Sequence, residues 1–265
     1  MDATRRRHYL KALGIDGWAL RAGEAASAPA TVAPPPDPIQ PPAPEDLKPY
    51  AAAADKRRGR EAVAEPAVAA VLQPLTLPDN WDGLRALVAD CTRCKLCQTR
   101  TQTVFGVGVR TAPLMVVGEG PGADEDAQGD PFVGRAGKLL DEMLKAIGRS
   151  RSDNVYIANV VKCRPPGNRD PEPEEAAACR PYLEQQIRLV KPKLIVALGR
   201  IAAQRLLQSD EPLARLRGPL HHYGPERTPL LITYHPAYLL RSPREKAKSW
   251  EDLKKVHRFL AGGTS

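Results

Sequence analysis

Residues 114–140 read LMVVGEGPGADEDAQGDPFVGRAGKLL, and this stretch decides the fold. Leu114, Met115, Val116 and Val117 form a short apolar run closed by glycine, the signature of a strand buried on both faces. At Gly118-Glu119-Gly120-Pro121-Gly122 the three glycines let the backbone turn tightly and approach a ligand closely. The acids Glu125, Asp126 and Asp130 follow, then Phe132. Past Gly134, the residues Leu139, Leu140, Met143, Leu144 and Ile147 recur at helical spacing, and Gly148 supplies a stop. A strand end, a glycine turn, acids, an aromatic and a helix, in that order, describe a ligand site at the carboxyl end of an α/β sheet.

Three more apolar runs repeat the strand signal on the C-terminal side. Val155–Val161 (VYIANVV) leads into Lys162-Cys163-Arg164-Pro165-Pro166, and Lys193–Leu198 (KLIVAL) leads into Gly199. Leu230–Thr233 (LLIT) leads into Tyr234-His235-Pro236-Ala237-Tyr238-Leu239-Leu240. Helical patterns lie between and around them: Leu84, Leu87 and Val88; Pro173 to Val190; Gly199 to Leu207; and Glu251 to Leu260. Pro181 is expected to strain the Pro173–Val190 helix and to divide it in two. Strands alternating with helices predict a three-layer α/β/α domain around a central, mainly parallel four-stranded sheet.

Upstream the composition changes. Residues 23–78 are dominated by alanine, proline and charge, cannot bury a core, and are expected to be a disordered linker with polyproline II character. Residues 1–22 carry Tyr9, Leu10, Leu13 and Trp18 beside Arg5-Arg6-Arg7, a short helical tail or docking segment for a replication or repair partner. The ordered domain is therefore expected over 79–265. The net charge of +8 favours a polyanionic partner. No apolar run approaches the ~20 residues of a membrane span, and the N-terminus lacks the unbroken apolar core of a signal peptide. A cytoplasmic monomer is expected.

In that reducing compartment clustered cysteines suggest metal or chemistry rather than disulfides. Cys91 and Cys94 have the two-residue gap that lets two thiolates share one centre, and Cys163 and Cys179 are separated by fifteen residues. The set suggests a four-thiolate site for either [4Fe–4S] or zinc. Cys97 is left over.

Together these residues resemble the family 4 uracil-DNA glycosylases, the iron–sulfur branch of that superfamily. The resemblance runs from about Cys91 to Phe259. It rests on Cys91-x-x-Cys94, Val104-Phe105-Gly106, Gly118-Glu119-Gly120-Pro121-Gly122 with Glu125-Asp126, Pro131-Phe132-Val133-Gly134, Asn159 with Lys162-Cys163-Arg164-Pro165-Pro166, Cys179, and His235-Pro236-Ala237-Tyr238-Leu239-Leu240. It implies a DNA repair enzyme that flips uracil out of DNA and hydrolyses its N-glycosidic bond, leaving an abasic site for base excision repair. It also implies a [4Fe–4S] cluster on Cys91, Cys94, Cys163 and Cys179. The interval RPPGNRDPEPEEAAA contains no histidine, which places the chain with the ordinary hydrolytic branch rather than with covalent-trapping relatives.

The chemistry needs a flipped base, a pocket that reads uracil, and electrostatics that tolerate a cationic sugar and an anionic leaving base. The resemblance gives Phe132 the stacking face, Asn159 the uracil edge and His235 a hydrogen bond to O2, with Gly118, Gly120 and Pro121 along the substrate. Glu119 and Glu125 are the acids for steadying the sugar or positioning water. Gly120 stands where the best-known uracil glycosylases carry aspartate. Leu239 is the expected wedge into the gap left by the base, and Arg241 and Arg244, with Lys246 and Lys248 behind, are expected on phosphates. The competing reading is a non-enzymatic four-cysteine adaptor that binds nucleic acid. It accounts for the charge and the cysteines but not for Phe132, Asn159 and His235 near strand ends.

Overall fold

The computed structural model describes residues 75–262, so the docking segment expected over 1–22 and all but the last residues of the linker expected over 23–78 lie outside the described residues. Leu75 and Leu77 pack against the core, and Gln185 Nε2 donates to the Pro78 carbonyl at 2.9 Å and to Asp79 Oδ1 at 3.0 Å. Packing against the core is thus already present ahead of residue 79, at Leu75 and Leu77.

Helix α1 (Trp81–Ala89) opens with Asn80, whose side chain accepts from the Gly83 amide at 2.8 Å, and it buries Leu84 and Val88. A 3₁₀ turn at Lys95–Gln98 carries the end of the cysteine run. The elements that follow are β1 (Val107–Gly108), β2 (Leu114–Gly118), α2 (Ala123–Gln128), α3 (Arg135–Ala146), β3 (Val155–Asn159) and α4 (Pro173–Val190). Then come β4 (Leu194–Leu198), α5 (Gly199–Leu207), α6 (Leu213–Leu216), β5 (His221–Tyr223), β6 (Thr228–Thr233), α7 (Pro236–Arg241) and α8 (Lys246–Leu260).

The sheet order is β1-β3-β2-β4-β6-β5, with β3, β2, β4 and β6 parallel and the two edges antiparallel. Every residue of β2, β3 and β4 is buried, which is why those strands read as unbroken apolar runs. Met115 and Val117 face a core built with α1, α4 and α5, while Leu114 and Val116 face one built with α3 and α8. Helices therefore cover both faces, as expected, but the sheet has six strands rather than four. The two extra strands are edges two and three residues long, too short to show a period of their own.

α4 is one continuous helix, not two pieces. Pro181 cannot donate to the Ala177 carbonyl, but Ala177 is exposed and Pro181 half-buried, so water can take that carbonyl. α8 begins at Lys246, earlier than the expected Glu251.

Candidate active site

Parallel register places Gly118 directly opposite Asn159 at the carboxyl ends of β2 and β3, and the end of β4 beside the end of β6. Glu119, Asn159 and His235 therefore emerge at one edge of the sheet. They line a cleft of about 410 Å³ together with Phe132, Asp170 and Arg241. Two glycines allow this convergence. A Cβ on Gly118 would lie 2.4 Å from Asn159 Oδ1 and 2.7 Å from Phe132 Cζ, and one on Gly199 would lie 2.9 Å from His235 Cβ. Gly199 also has a φ of +86°, in the left-handed region that glycine tolerates.

Phe132 itself is left-handed, with a φ of 57°. For a non-glycine residue this costs on the order of 1–3 kcal/mol, and it persists only where neighbours over-determine it. Arg151 donates from Nη1 to the Pro131 carbonyl and from Nη2 to the Phe132 carbonyl, both at 3.0 Å. Gly137 accommodates that carbonyl where a Cβ would sit 1.8 Å from the oxygen. On the other side, Glu125 accepts from the Val133 and Gly134 amides at 3.0 and 3.2 Å, and from the Gly122 amide at 3.1 Å. The Glu125 carboxylate thereby ties the glycine turn to the Phe132 loop.

Asn159 is 2% exposed, and its Oδ1 is buried without a hydrogen-bond partner. Such an acceptor is costly unless a ligand completes it. His235 Nδ1 accepts from the Ala237 amide at 3.2 Å, which leaves the proton on Nε2. Burial, reinforced by the Arg241 charge and only partly offset by Glu125, lowers its pKa to about 4. The ring is therefore neutral at physiological pH and presents one N–H donor.

Glu119 is the acid whose charge state is unusual. Burial first, then Asp170 nearby, raises its pKa to about 7, with Arg200 pulling the other way. Arg200 Nη2 in turn donates to Asp170 Oδ2 at 2.5 Å.

All five cysteines are free thiols, and all line one small cavity with Arg100 and Lys162. Arg100 Nη1 donates to Cys163 Sγ at 3.1 Å, and the Lys162 amide donates to Cys179 Sγ at 3.2 Å. Burial pushes the Cys179 thiol up to about 12, and Lys162 partly counters it. The Lys162 side chain is fully buried, donating to the Asn159 carbonyl at 2.9 Å and to Gln186 Oε1 at 2.6 Å. Among the described residues, no group of three or more His, Cys, Asp or Glu side chains is arranged to hold a single metal ion.

Residues 105–254 match the family model described as the uracil DNA glycosylase superfamily. The chain belongs to the uracil-DNA glycosylase superfamily. It is 42% identical to the type-4 uracil-DNA glycosylase of Sulfurisphaera tokodaii over 184 residues, which cover 67% of this chain and 84% of the relative. The Archaeoglobus fulgidus type-4 uracil-DNA glycosylase is 42% identical, with 67% and 92% covered, and that of Pyrobaculum aerophilum is 44% identical, with 68% and 93% covered.

Within this glycosylase fold one expected contact does not hold. Leu239, the expected wedge, is 1% exposed and packs in the core with α3 and α8 residues, because α7 turns that side inward. The exposed apolar side chains of α7 are its neighbours Tyr238 and Leu240, at 37% and 36%. Arg241 and Arg244, the expected phosphate contacts, are exposed. Lys248 is paired with Glu245 at 2.8 Å. One whole wall of the glycosylase cleft was not foreseen: Pro165, Asn168, Arg169 and Asp170, from the loop between Cys163 and Cys179. Its sequence, RPPGNRDP, reads only as a turn-rich connection.

Proposed function

We propose that this protein is a uracil-DNA glycosylase that hydrolyses the bond between uracil and deoxyribose in DNA and so begins base excision repair. The observation that carries the reading is the buried, unpartnered Asn159 Oδ1 at the back of a strand-end cleft. Uracil offers N3–H to that oxygen and O4 to the amide nitrogen, whereas cytosine presents an acceptor and a donor in the reversed places. Phe132 supplies the stacking face, and Gly118, Gly120 and Pro121 let the backbone run close to the base.

As the bond between C1′ and N1 breaks, its electron pair stays on uracil, and the neutral His235 Nε2–H donates to O2 where charge develops. Glu119, when ionised, steadies the cationic sugar and takes a proton from the water whose oxygen bonds to C1′. The departing uracil anion takes its proton from solvent. Glu125 holds the glycine turn and the Phe132 loop in place through its amide contacts, a positioning role. Arg241 and Arg244 meet phosphates, and the exposed Leu240 beside Tyr238 takes over the wedge role expected of Leu239.

Cys91, Cys94, Cys163 and Cys179 would hold a [4Fe–4S] cluster, whose chemistry at this site is to bind four thiolates and tie their two segments together. N–H donors aimed at two of the sulfurs suit such thiolates. Zinc on the same four cysteines is the alternative occupant, and metal analysis of the purified protein separates the two. Five free thiols suit a reducing cytoplasm, where the chain acts as a monomer on DNA, with residues 1–22 as a docking segment, 23–78 as linker and 79–265 as the catalytic domain. No observation favours the adaptor reading.

The test is a gel assay on an oligonucleotide with one uracil. Alkali should break the strand at that position after incubation, and an otherwise identical strand with cytosine or thymine should stay intact. An intact uracil strand, with folded and iron-loaded protein, would overturn the assignment.

A further inference from the structure

Tyr238 lines the cleft beside His235 and Arg241, yet no step described so far uses its ring. The side chain is 37% exposed, and its backbone amide donates to the His235 carbonyl at 2.9 Å. The turn that presents the His235 imidazole therefore also presents Tyr238. The ring is braced from within the protein: Tyr234 lies 5.2 Å away, centroid to centroid, tilted by 31°. Over Tyr234 sits the Arg217 guanidinium, 5.0 Å from the ring centroid. Arg217 donates in turn to both carboxylate oxygens of Asp252 at 2.9 Å. Asp252 is 4% exposed and also accepts from Thr233 Oγ1 at 2.9 Å. A chain of contacts thus runs from a buried carboxylate through a cation and two rings, and it ends on an exposed ring at the cleft.

We propose that Tyr238 is a stacking platform for the nucleobase next to the flipped uracil, so that the protein grips two bases, the uracil on Phe132 and its neighbour on Tyr238. The inference rests on the glycosylase reading.

Flipping a base out strips its neighbour of a stacking partner, and an aromatic ring beside the pocket replaces that contact. Every base has a π-face, so such a platform tolerates any sequence around the uracil. A ring already packed on Tyr234 also has little rotamer freedom left to lose on binding. Arg241, exposed in the same cleft, suits a phosphate of the stacked nucleotide. The platform needs no complementary strand, which separates it from the wedge role of Leu240 and extends it to single-stranded DNA.

The test is a cycle of equilibrium binding at one stated salt concentration, on a single-stranded oligonucleotide with an uncleavable uracil analogue. The base on its 5′ side, or that on its 3′ side, is present or replaced by an abasic site. With both neighbours present, Tyr238→Ala should weaken binding by roughly tenfold, whereas Tyr238→Phe, which keeps the ring, should bind about as the wild type does. With the stacked neighbour removed, wild type and Tyr238→Ala should bind alike. 2-Aminopurine on that side should be dimmer in the wild-type complex than in the Tyr238→Ala complex, because stacking quenches its emission. A Tyr238→Ala loss that is the same with and without each neighbour would mean a packing or backbone role and would overturn the proposal. So would an equal loss in Tyr238→Phe. Excision separates this inference from the reading beneath it. A wild type that shows the coupling but leaves uracil in place would sink the glycosylase reading alone, and one that excises uracil without the coupling would sink the platform alone.

Discussion

The Phe132 ring and the His235 imidazole lie 5.6 Å apart, centroid to centroid, tilted by 32°. One belongs to the loop after α2 and the other to the end of β6, and both reach the cleft because glycines stand where the segments crowd together. On the proposed reading, a stacking face and a neutral N–H donor at this separation would give a flipped pyrimidine both its platform and its charge-stabilising contact.

Gly118→Ala tests that convergence. The added methyl group would lie 2.4 Å from Asn159 Oδ1 and 2.7 Å from Phe132 Cζ, so one of the two must move. Equilibrium binding of DNA carrying an uncleavable uracil analogue should weaken by about tenfold or more, equivalent to about 1.4 kcal/mol. Unchanged binding would mean that Asn159 and Phe132 do not jointly grip the base.

His235→Ala should slow single-turnover excision by roughly 10²–10³-fold while changing analogue binding much less, because its hydrogen bond strengthens as charge develops on O2. Equal losses in rate and binding would make His235 a ground-state contact. The ring's pKa is lowered to about 4, so the neutral form is present above that pH and is lost only as pH falls through it. Activity between about pH 5 and 9 should therefore show no His235 titration, and any titration seen in that range should persist in His235→Ala.

Glu119→Gln should stabilise the fold while it damages catalysis. Glu119 has a folded pKa raised from 4.5 to about 7. Between those values the folded state binds more protons than the unfolded state, so this group lowers stability as pH rises through the window. Above pH 7 the full penalty applies. Allowing for its partial exposure, the substitution should raise stability at about pH 8 by on the order of 1–2 kcal/mol and have little effect near pH 4. Denaturant titrations at the two pH values measure this; a gain at pH 4 equal to that at pH 8 would contradict the ionisation argument.

The cysteines should separate by substitution. Protein purified without oxygen should be brown and contain iron. Cys163→Ala, which removes the sulfur that accepts from Arg100, should lose both colour and iron, whereas Cys97→Ala should keep them. A colourless wild-type protein with stoichiometric zinc would refute the cluster. Iron lost equally in both variants would bring Cys97 into the ligand set.

The central strands were legible because parallel strands buried on both faces must be apolar throughout, and LMVVG, VYIAN and LIVAL record that locally. The glycine turn, the aromatic and the strand-end Asn159 and His235 were legible for a related reason: turn chemistry is written in adjacent residues. Edge strands of two and three residues left no such trace.

Local pattern alone was enough for the layer architecture, the cysteine set and the strand ends near which a site is expected. Which neighbours each side chain meets came from the packing of distant segments. That packing turned Leu239 into the core, engaged Glu125 with amides on two loops, kept α4 whole across Pro181, and brought Asp170 to the cleft. The physical reason is range. Burial on a strand or helix follows a short period that neighbouring residues encode, whereas a hydrogen bond between distant segments depends on how those segments pack, which no local pattern records.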